Sequence, residues 1–366
     1  MRRSGLVKSF SSPEETARRL IGVQAQLMAA ADLAFWNRTA DCTSEGLRQA
    51  RLDRRGLVRM WGQRDTLHIF AADDWPLLHA AFELRDPRFF KKLEQSEVFG
   101  EFRRVVRQIG KRLAGGKPLT YKDVKSKKLV LGIKRPPMTD KQAAWAAGYI
   151  VFRQLVREGV ACHGPDEGNA SCFVHRERWL PDLDWSPPEP KKAFAELAVR
   201  YLSSYGPAED RDLAHWYGMS ATNARRWIES AGKRCRSIEV AGRTLWCRRC
   251  DLEDLAVKPP PAARWPVRLL YRFDPLVLGT GDKSWLIDEA DYKKVWRPSA
   301  HVEAVVLVRG RIAGTWRYDR KSKGLCVRVH PFGRLNGAVL RDSEKQAAAI
   351  AGFLAIPLEG FEVVRP

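Results

Sequence analysis

The chain has 366 residues, a formal net charge of +21, 13 Trp and 7 Cys. That length allows more than one domain and a sizeable core, and such an excess of Lys and Arg suits a polyanion such as DNA or RNA. An odd, scattered set of cysteines argues against a disulfide framework, Met1-Arg2-Arg3 leads into no apolar signal region, and the longest apolar run, around Ala347 to Leu358, is too short for a bilayer.

In chain order, Ser12-Pro13-Glu14-Glu15 starts a helix that Gly22 stops. A second helical pattern follows at Leu27, Ala30, Ala31, Ala34 and Phe35, and Gln24-Ala25-Gln26 between the two reads as a short turn. Residues two apart do not face the same way on a helix, so the two amides can serve one site only if the backbone breaks there. Glutamine has no useful pKa and works only through hydrogen bonds; a purely structural pair of amides is the alternative. A short helix over 44–51 precedes strands 57–61 and 66–70, joined at Gly62-Gln63-Arg64-Asp65. In the strands Thr66, His68 and Phe70 share one face, and Arg59 and Trp61 another. His68 is either a packed residue or one within reach of the glutamine turn; Arg64, at the hairpin tip, suits a phosphate.

Residues 73–113 are helical in pattern, with Trp75, Leu78, Phe82, Phe99, Phe102, Val106 and Ile109 facing a core. Residues 101–135 carry twelve Lys and Arg against Glu101 and Asp123, either a solvated face or a contact with a phosphate backbone. Thr120 caps one expected helix and Thr139, with Gln142, caps another that turns Trp145, Gly148, Tyr149, Phe152, Leu155 and Val156 to a core. A hairpin over 159–163 and 170–174, turning through Gly164 to Gly168, gives a second winged-helix pattern, and 182–190 reads as a linker. Helices over 192–204, 210–217 and 220–231 and strands 236–240 and 244–248 form a third, with Arg225 and Arg226 on its second short helix. Cys247-x-x-Cys250 has half-site spacing for zinc but no completing pair. After Pro259-Pro260-Pro261, strands 267–271, 304–308, 311–318 and 325–330 suggest a small barrel or a strongly bent sheet, closed by a helix over 343–353. The hairpin tip Tyr318 to Gly324 carries Arg320, Lys321 and Lys323.

Gln24-Ala25-Gln26, with Arg59 to His68, Ala71-Ala72-Asp73-Asp74, Leu269 to Pro275, Gly279 to Lys283 and Gly310 to Trp316, resembles the AlkZ-like bacterial DNA glycosylases in the family's order. Relatives with a Gln-apolar-Asp signature carry Asp where this chain has Gln26. The resemblance implies an α+β protein of tandem winged-helix units followed by a C-terminal β-barrel-like domain, arranged around a basic DNA-binding cleft. The expected divisions are 1–113, 114–184, 191–257 and 264–366. It further implies a monofunctional DNA glycosylase with Gln24 and Gln26 as catalytic residues. The DNA-contact candidates are Arg38, Arg59, Arg64, His68, Arg272, Lys283, Arg317, Arg320, Lys321 and Lys323. The expected partner is double-stranded DNA containing alkylated purines. No cofactor, metal or membrane association is expected, and the chain is expected to be monomeric and cytoplasmic. A winged-helix transcriptional regulator, which would read undamaged duplex, is the competing reading.

Overall fold

A computed structural model describes residues 1–81, 92–134, 137–166, 171–261 and 264–364, which form two compact units. One is discontinuous in sequence, Met1–Arg48 with Phe194–Pro366; the other is the intervening Gln49–Ala193. Phe82, Arg135, Glu167, Gly168 and Ala170 lie outside the described residues.

In the intervening unit, strands Leu67–Ala71, Leu57–Trp61, Ala161–His163 and Phe173–His175 lie side by side in that order, each antiparallel to its neighbour. Helices Phe99–Ala114 and Asp140–Arg157 pack on one another beside this sheet. Phe102, Val105, Val106, Ile109 and Leu113 recur at helical spacing and are buried, as are Val151, Phe152 and Leu155. Thr139 and Gln142 make the expected reciprocal cap. Two expectations fail. The Thr120 cap opens only a 3₁₀ turn, Tyr121–Asp123, because Val124 is already extended (ψ 95°); the helix begins later, at Lys127–Ile133, capped by Ser126. Trp145 does not enter the core: it is 55% exposed. Its helix already fills the interior with Ala147, Val151 and Phe152, so Trp145 falls on the margin of the apolar face.

In the discontinuous unit, helices Asp210–Tyr217 and Ala221–Ser230 are separated by Gly218 in the left-handed conformation (φ 90°), and Ser220 caps the second. Strands Cys235–Val240 and Arg243–Arg248 follow, joined by Ala241 and Gly242, both at positive φ, as a two-residue hairpin turn requires. The C-terminal sheet runs Leu358–Val363, Leu325–Pro331, Arg311–Arg320, Val305–Val308, Arg268–Leu270. Among the described residues this sheet is open, not a closed barrel. Its edge strands Leu358–Val363 and Arg268–Leu270 are not paired with each other; helix Gly337–Phe353 packs on both instead. That helix starts six residues before the expected Ser343, since Asn336 caps it through Val339 N (2.9 Å) while Ser343 bonds back to Val339 O (2.8 Å) inside the helix.

A buried ion pair is one of the contacts that join the N-terminal segment to the rest of this unit. Arg38 is fully buried, and its guanidinium donates to both carboxylate oxygens of Asp274 (2.6 and 2.8 Å) and to the carbonyls of Ser4 (2.9 Å) and Ala34 (3.1 Å). Asp274 also accepts from Leu276 N (2.9 Å), capping helix Pro275–Leu278. Replacing Asp274 with Ala leaves an uncompensated buried guanidinium, at a cost of about 3–5 kcal/mol. Urea unfolding of Asp274→Ala checks this; a loss below about 1 kcal/mol contradicts it.

In the intervening unit, His163 lies against Trp61 (5.2 Å) and Phe173 (4.4 Å), and neither ring nitrogen has a hydrogen-bond partner among the described residues. Burial, with the nearby Arg59 charge, pushes its pKa down to about 3, and burial does the same to His68. Between about pH 6.5 and about 3 the unfolded chain takes up protons that the folded chain refuses, so stability falls as pH falls. Each ring contributes up to about 1.4 kcal/mol per pH unit in that window. His163→Phe, which suits the aromatic surroundings, is expected to keep stability at pH 7 and to lessen the loss between pH 6.5 and 4.5. An unchanged acid slope in thermal melts contradicts this.

Candidate active site

The glutamine stretch is built by the way its first helix ends. Helix Pro13–Leu20 is started by Ser12, whose side chain accepts from Glu15 N (3.0 Å), while the Glu15 carboxylate reaches back to Ser11 N (2.9 Å). It ends at Ile21 (φ 54°) and Gly22 (φ 92°), two successive left-handed residues. A β-branched residue there is strained, on the order of 1–3 kcal/mol, and persists only where its surroundings hold it. Ile21 is held: it is buried, and Gly22 N closes the helix onto Ala17 O (2.8 Å). The chain therefore leaves as the extended pair Val23–Gln24 rather than as more helix.

This resolves the spacing. The backbone is extended at Val23–Gln24 and bends at Gln26, and across that bend the two amides meet: Gln24 Nε2 donates to Gln26 Oε1 at 3.1 Å. The expected turn is thus a short strand followed by a bend. Gln24 is 7% exposed and Gln26 is exposed, so a buried amide fixes a solvent-facing one. The pair bond engages one N–H of Gln24 and the oxygen of Gln26; Gln26 keeps its NH₂ donors. Helix Met28–Trp36 follows at once, with no side chain capping its N-terminus.

Both flanks of the stretch are tied to the C-terminal part of the same unit. The hydroxyl of Ser204 donates to Arg19 O, and that of Tyr205 to Leu20 O (3.3 Å), satisfying carbonyls at the end of the first helix. At the end of the second, Asn37 Nδ2 donates to Leu33 O and to Leu269 O (both 3.2 Å), next to the Arg38–Asp274 pair. A cavity of about 580 Å³ in this unit, lined by Tyr205, Asp212, Arg243, Trp265 and Trp285 among others, includes neither glutamine.

The expected DNA contacts separate into groups. Arg317, Arg320, Lys321 and Lys323 are exposed on the hairpin of strands Arg311–Arg320 and Leu325–Pro331. Arg272 is half-buried in the same unit. In the intervening unit, Arg64 is half-buried in the hairpin turn at φ 52°, and Arg59, also half-buried, lies 3.8 Å from Asp166. Three candidates are corrected. Arg38 is the buried partner of Asp274. Lys283 is 6% exposed, its ammonium donating to Val277 O (2.8 Å) and Thr280 O. His68 is buried, with Nδ1 3.0 Å from Thr66 O, and is held neutral by burial and by the Arg64 charge. A long cation beside a glycine turn reads as a phosphate contact in sequence, but burial with its hydrogen bonds met makes it structural.

Sequence reasoning missed Glu303 and the cations around it. One oxygen of this buried carboxylate accepts from Arg297 (3.0 Å) and Arg317 (2.8 Å), with His301 Nε2 at 3.5 Å. Burial pushes its pKa up, but the two guanidinium hydrogen bonds outweigh that and hold it below the usual carboxylate range. Arg317 is thereby fixed in place on an otherwise open strand face. In the sequence Glu303 is one of two acids, with Asp319, among the many Lys and Arg of 301–334.

The family model of the DNA glycosylase AlkZ-like proteins matches residues 17–353. The chain is 28% identical over 350 residues to the interstrand DNA cross-link repair glycosylase of Streptomyces sahachiroi, covering 93% of this chain and 90% of that protein. The structure matches the Streptomyces sahachiroi DNA glycosylase AlkZ with a TM-score of 0.80 at 25% identity, over 100% of this chain and 97% of the other. The chain belongs to the AlkZ-like DNA glycosylase family.

Proposed function

We propose that this glycosylase hydrolyses the N-glycosidic bond of N7-alkylated purines in double-stranded DNA, with Gln24 and Gln26 as the catalytic residues. The observation that carries the reading is the contact of the two amides at 3.1 Å across a short strand and the bend that follows it. Amides are neither strong acids nor strong bases, so the reaction must make little demand for proton transfer. Alkylation at N7 leaves the purine positively charged, and such a base departs without prior protonation. What remains is to hold a water in line and to accommodate an oxocarbenium-like sugar, as in glycoside hydrolysis. Gln24 sets the orientation of Gln26, and the pair divides the tasks of binding the water and the sugar.

The similarity to the interstrand DNA cross-link repair glycosylase of Streptomyces sahachiroi supports bulky adducts and interstrand crosslinks as substrates. A bulky adduct is poorly suited to a snug base-flipping pocket, so tandem winged-helix units and a basic DNA-binding surface are part of the same proposal. Repair of such lesions, or self-resistance to a DNA-alkylating natural product, is the corresponding role. On the helix–turn–helix over 210–230, Arg225 is bound to Asp210 (2.8 Å) and Arg243 on the following hairpin to Glu209 and Asp282 (both 2.7 Å), while Arg226 is exposed. The competing reading, a regulator, requires preference for one undamaged duplex sequence.

Base release from a duplex carrying one 7-methylguanine, read as alkali-labile abasic sites, tests the proposal. Wild type is expected to release the base, and Gln24→Ala and Gln26→Ala to lose at least about 100-fold in single-turnover rate, the scale on which positioning errors act, while still binding the duplex. Failure of wild type on this duplex and on one with a bulky N7 adduct overturns the reading. A second prediction concerns binding. Each phosphate contact contributes about 0.9 to the slope of log affinity against log salt. Removing Arg320, Lys321 and Lys323 together is expected to lower that slope by roughly 2–3, whereas Lys283→Met lowers thermal stability and leaves the slope unchanged. A Lys283→Met slope reduced by one unit contradicts the structural role given to that lysine.

A further inference from the structure

Helix Asp140–Arg157 carries Lys141, Trp145, Tyr149 and Arg153 at four-residue intervals, the spacing that lines side chains up along one face. The row spans about 18 Å. Its two rings are stacked on each other: the Trp145 and Tyr149 centroids are 5.4 Å apart with planes inclined by 16°. The Arg153 guanidinium lies over Tyr149 at 6.0 Å. Tyr121 stands edge-on to Trp145 at 5.6 Å, and Trp61 meets Tyr149 edge-on at 5.5 Å. Lys141 is exposed at the other end of the row.

Two observations separate this arrangement from ordinary core packing. Trp145 leaves 55% of its surface exposed, although the same helix buries Ala147, Val151, Phe152 and Leu155 without it. The second is Gly148, in mid-helix where glycine is costly. A Cβ there would come within 2.7 Å of the Tyr121 carbonyl oxygen, so only glycine lets the Tyr121 turn close against the helix and bring its ring to Trp145. Two exposed cations flank the rings in sequence, Lys141 one helical turn before Trp145 and Lys122 next to Tyr121, the latter on a segment, 101–135, rich in Lys and Arg. Flat rings flanked by cations suit a ligand that has both a π-face and a negative charge at every repeat, which is a nucleic-acid strand with its bases unpaired. A duplex hides those faces.

We infer that the Lys141–Trp145–Tyr149–Arg153 row is a stacking platform for an unpaired nucleotide, with Trp145 as the ring that meets the base and Tyr121 as its support. The inference rests on the reading of this chain as an enzyme acting on DNA, where a lesion or its removal leaves bases without partners. Lys141 contacts the backbone of the same strand.

The test measures binding of the full chain to a fluorescein-labelled twelve-residue oligothymidylate and to an undamaged duplex of the same length, by anisotropy. Stacking on one aromatic ring contributes roughly five- to hundred-fold in affinity. Trp145→Ala is expected to lose that much for the single strand and less than two-fold for the duplex, and Trp145→Phe to recover most of it. A Trp145→Ala protein of unaltered thermal stability that binds the single strand within two-fold of wild type overturns the inference, and so does an equal loss for both DNAs. Release of 7-methylguanine by wild type, measured in the same preparation, reports separately on the glycosylase reading. Loss of that activity with the Trp145 effect intact would remove the substrate assignment and leave the platform standing.

Discussion

The pair formed by Arg38 and Asp274, fully buried and 236 residues apart in sequence, is the interaction on which the rest of the discontinuous unit depends. A buried guanidinium left without its carboxylate costs about 3–5 kcal/mol, which strongly favours the position of the segment after the second helix in which the pair forms. That position fixes the end of helix Met28–Trp36. The Ser204 and Tyr205 hydroxyls fix the end of helix Pro13–Leu20 in the same way. Between two such anchored ends, the strained Ile21 can be held, and with it the short strand and bend that bring Gln24 to Gln26. The glutamine stretch is short and local, but both of its flanks are tied to the C-terminal part of the chain.

The chemistry follows from what amides lack. A site with a carboxylate or an imidazole can protonate a leaving group or activate water; a pair of glutamines can only hold atoms in place. Positioning alone lowers a barrier substantially when the leaving group is already activated. A cationic purine supplies that activation itself. On the proposed reading, the arrangement couples an undemanding catalytic apparatus to a narrow class of reactive lesions, and selectivity against intact DNA comes from the stability of its uncharged bases.

Local signals in the sequence translated well into structure. Ser12, Thr139 and Ser220 each cap the helix they announce, and Ala241-Gly242 makes the hairpin turn. The glutamine pair was visible as a motif, although its backbone was read as a turn when it is a strand and a bend. Features set by distant partners were not legible. The open sheet depends on parallel pairing of Leu325–Pro331 with Leu358–Val363 through an intervening helix, which no local pattern encodes. Arg38 and Lys283 looked like phosphate contacts because a charge in sequence gives no sign of a buried carboxylate or carbonyl waiting for it. Trp145 failed in the opposite direction: helical periodicity placed it on the core face, but the margin of an apolar stripe is decided by how much the other residues already fill. Thr120 showed that a cap without a following helical run gives only a turn.

The central claim is that two amides suffice because the departing base carries its own positive charge. Single-turnover base release at saturating enzyme, compared across duplexes that differ only in the lesion, tests it most directly. The account predicts release of the cationic bases 7-methylguanine and 3-methyladenine, and none of the uncharged hypoxanthine or 8-oxoguanine above the uncatalysed background. Release of either uncharged base at a rate comparable to 7-methylguanine would require a general acid in the site and would contradict the account.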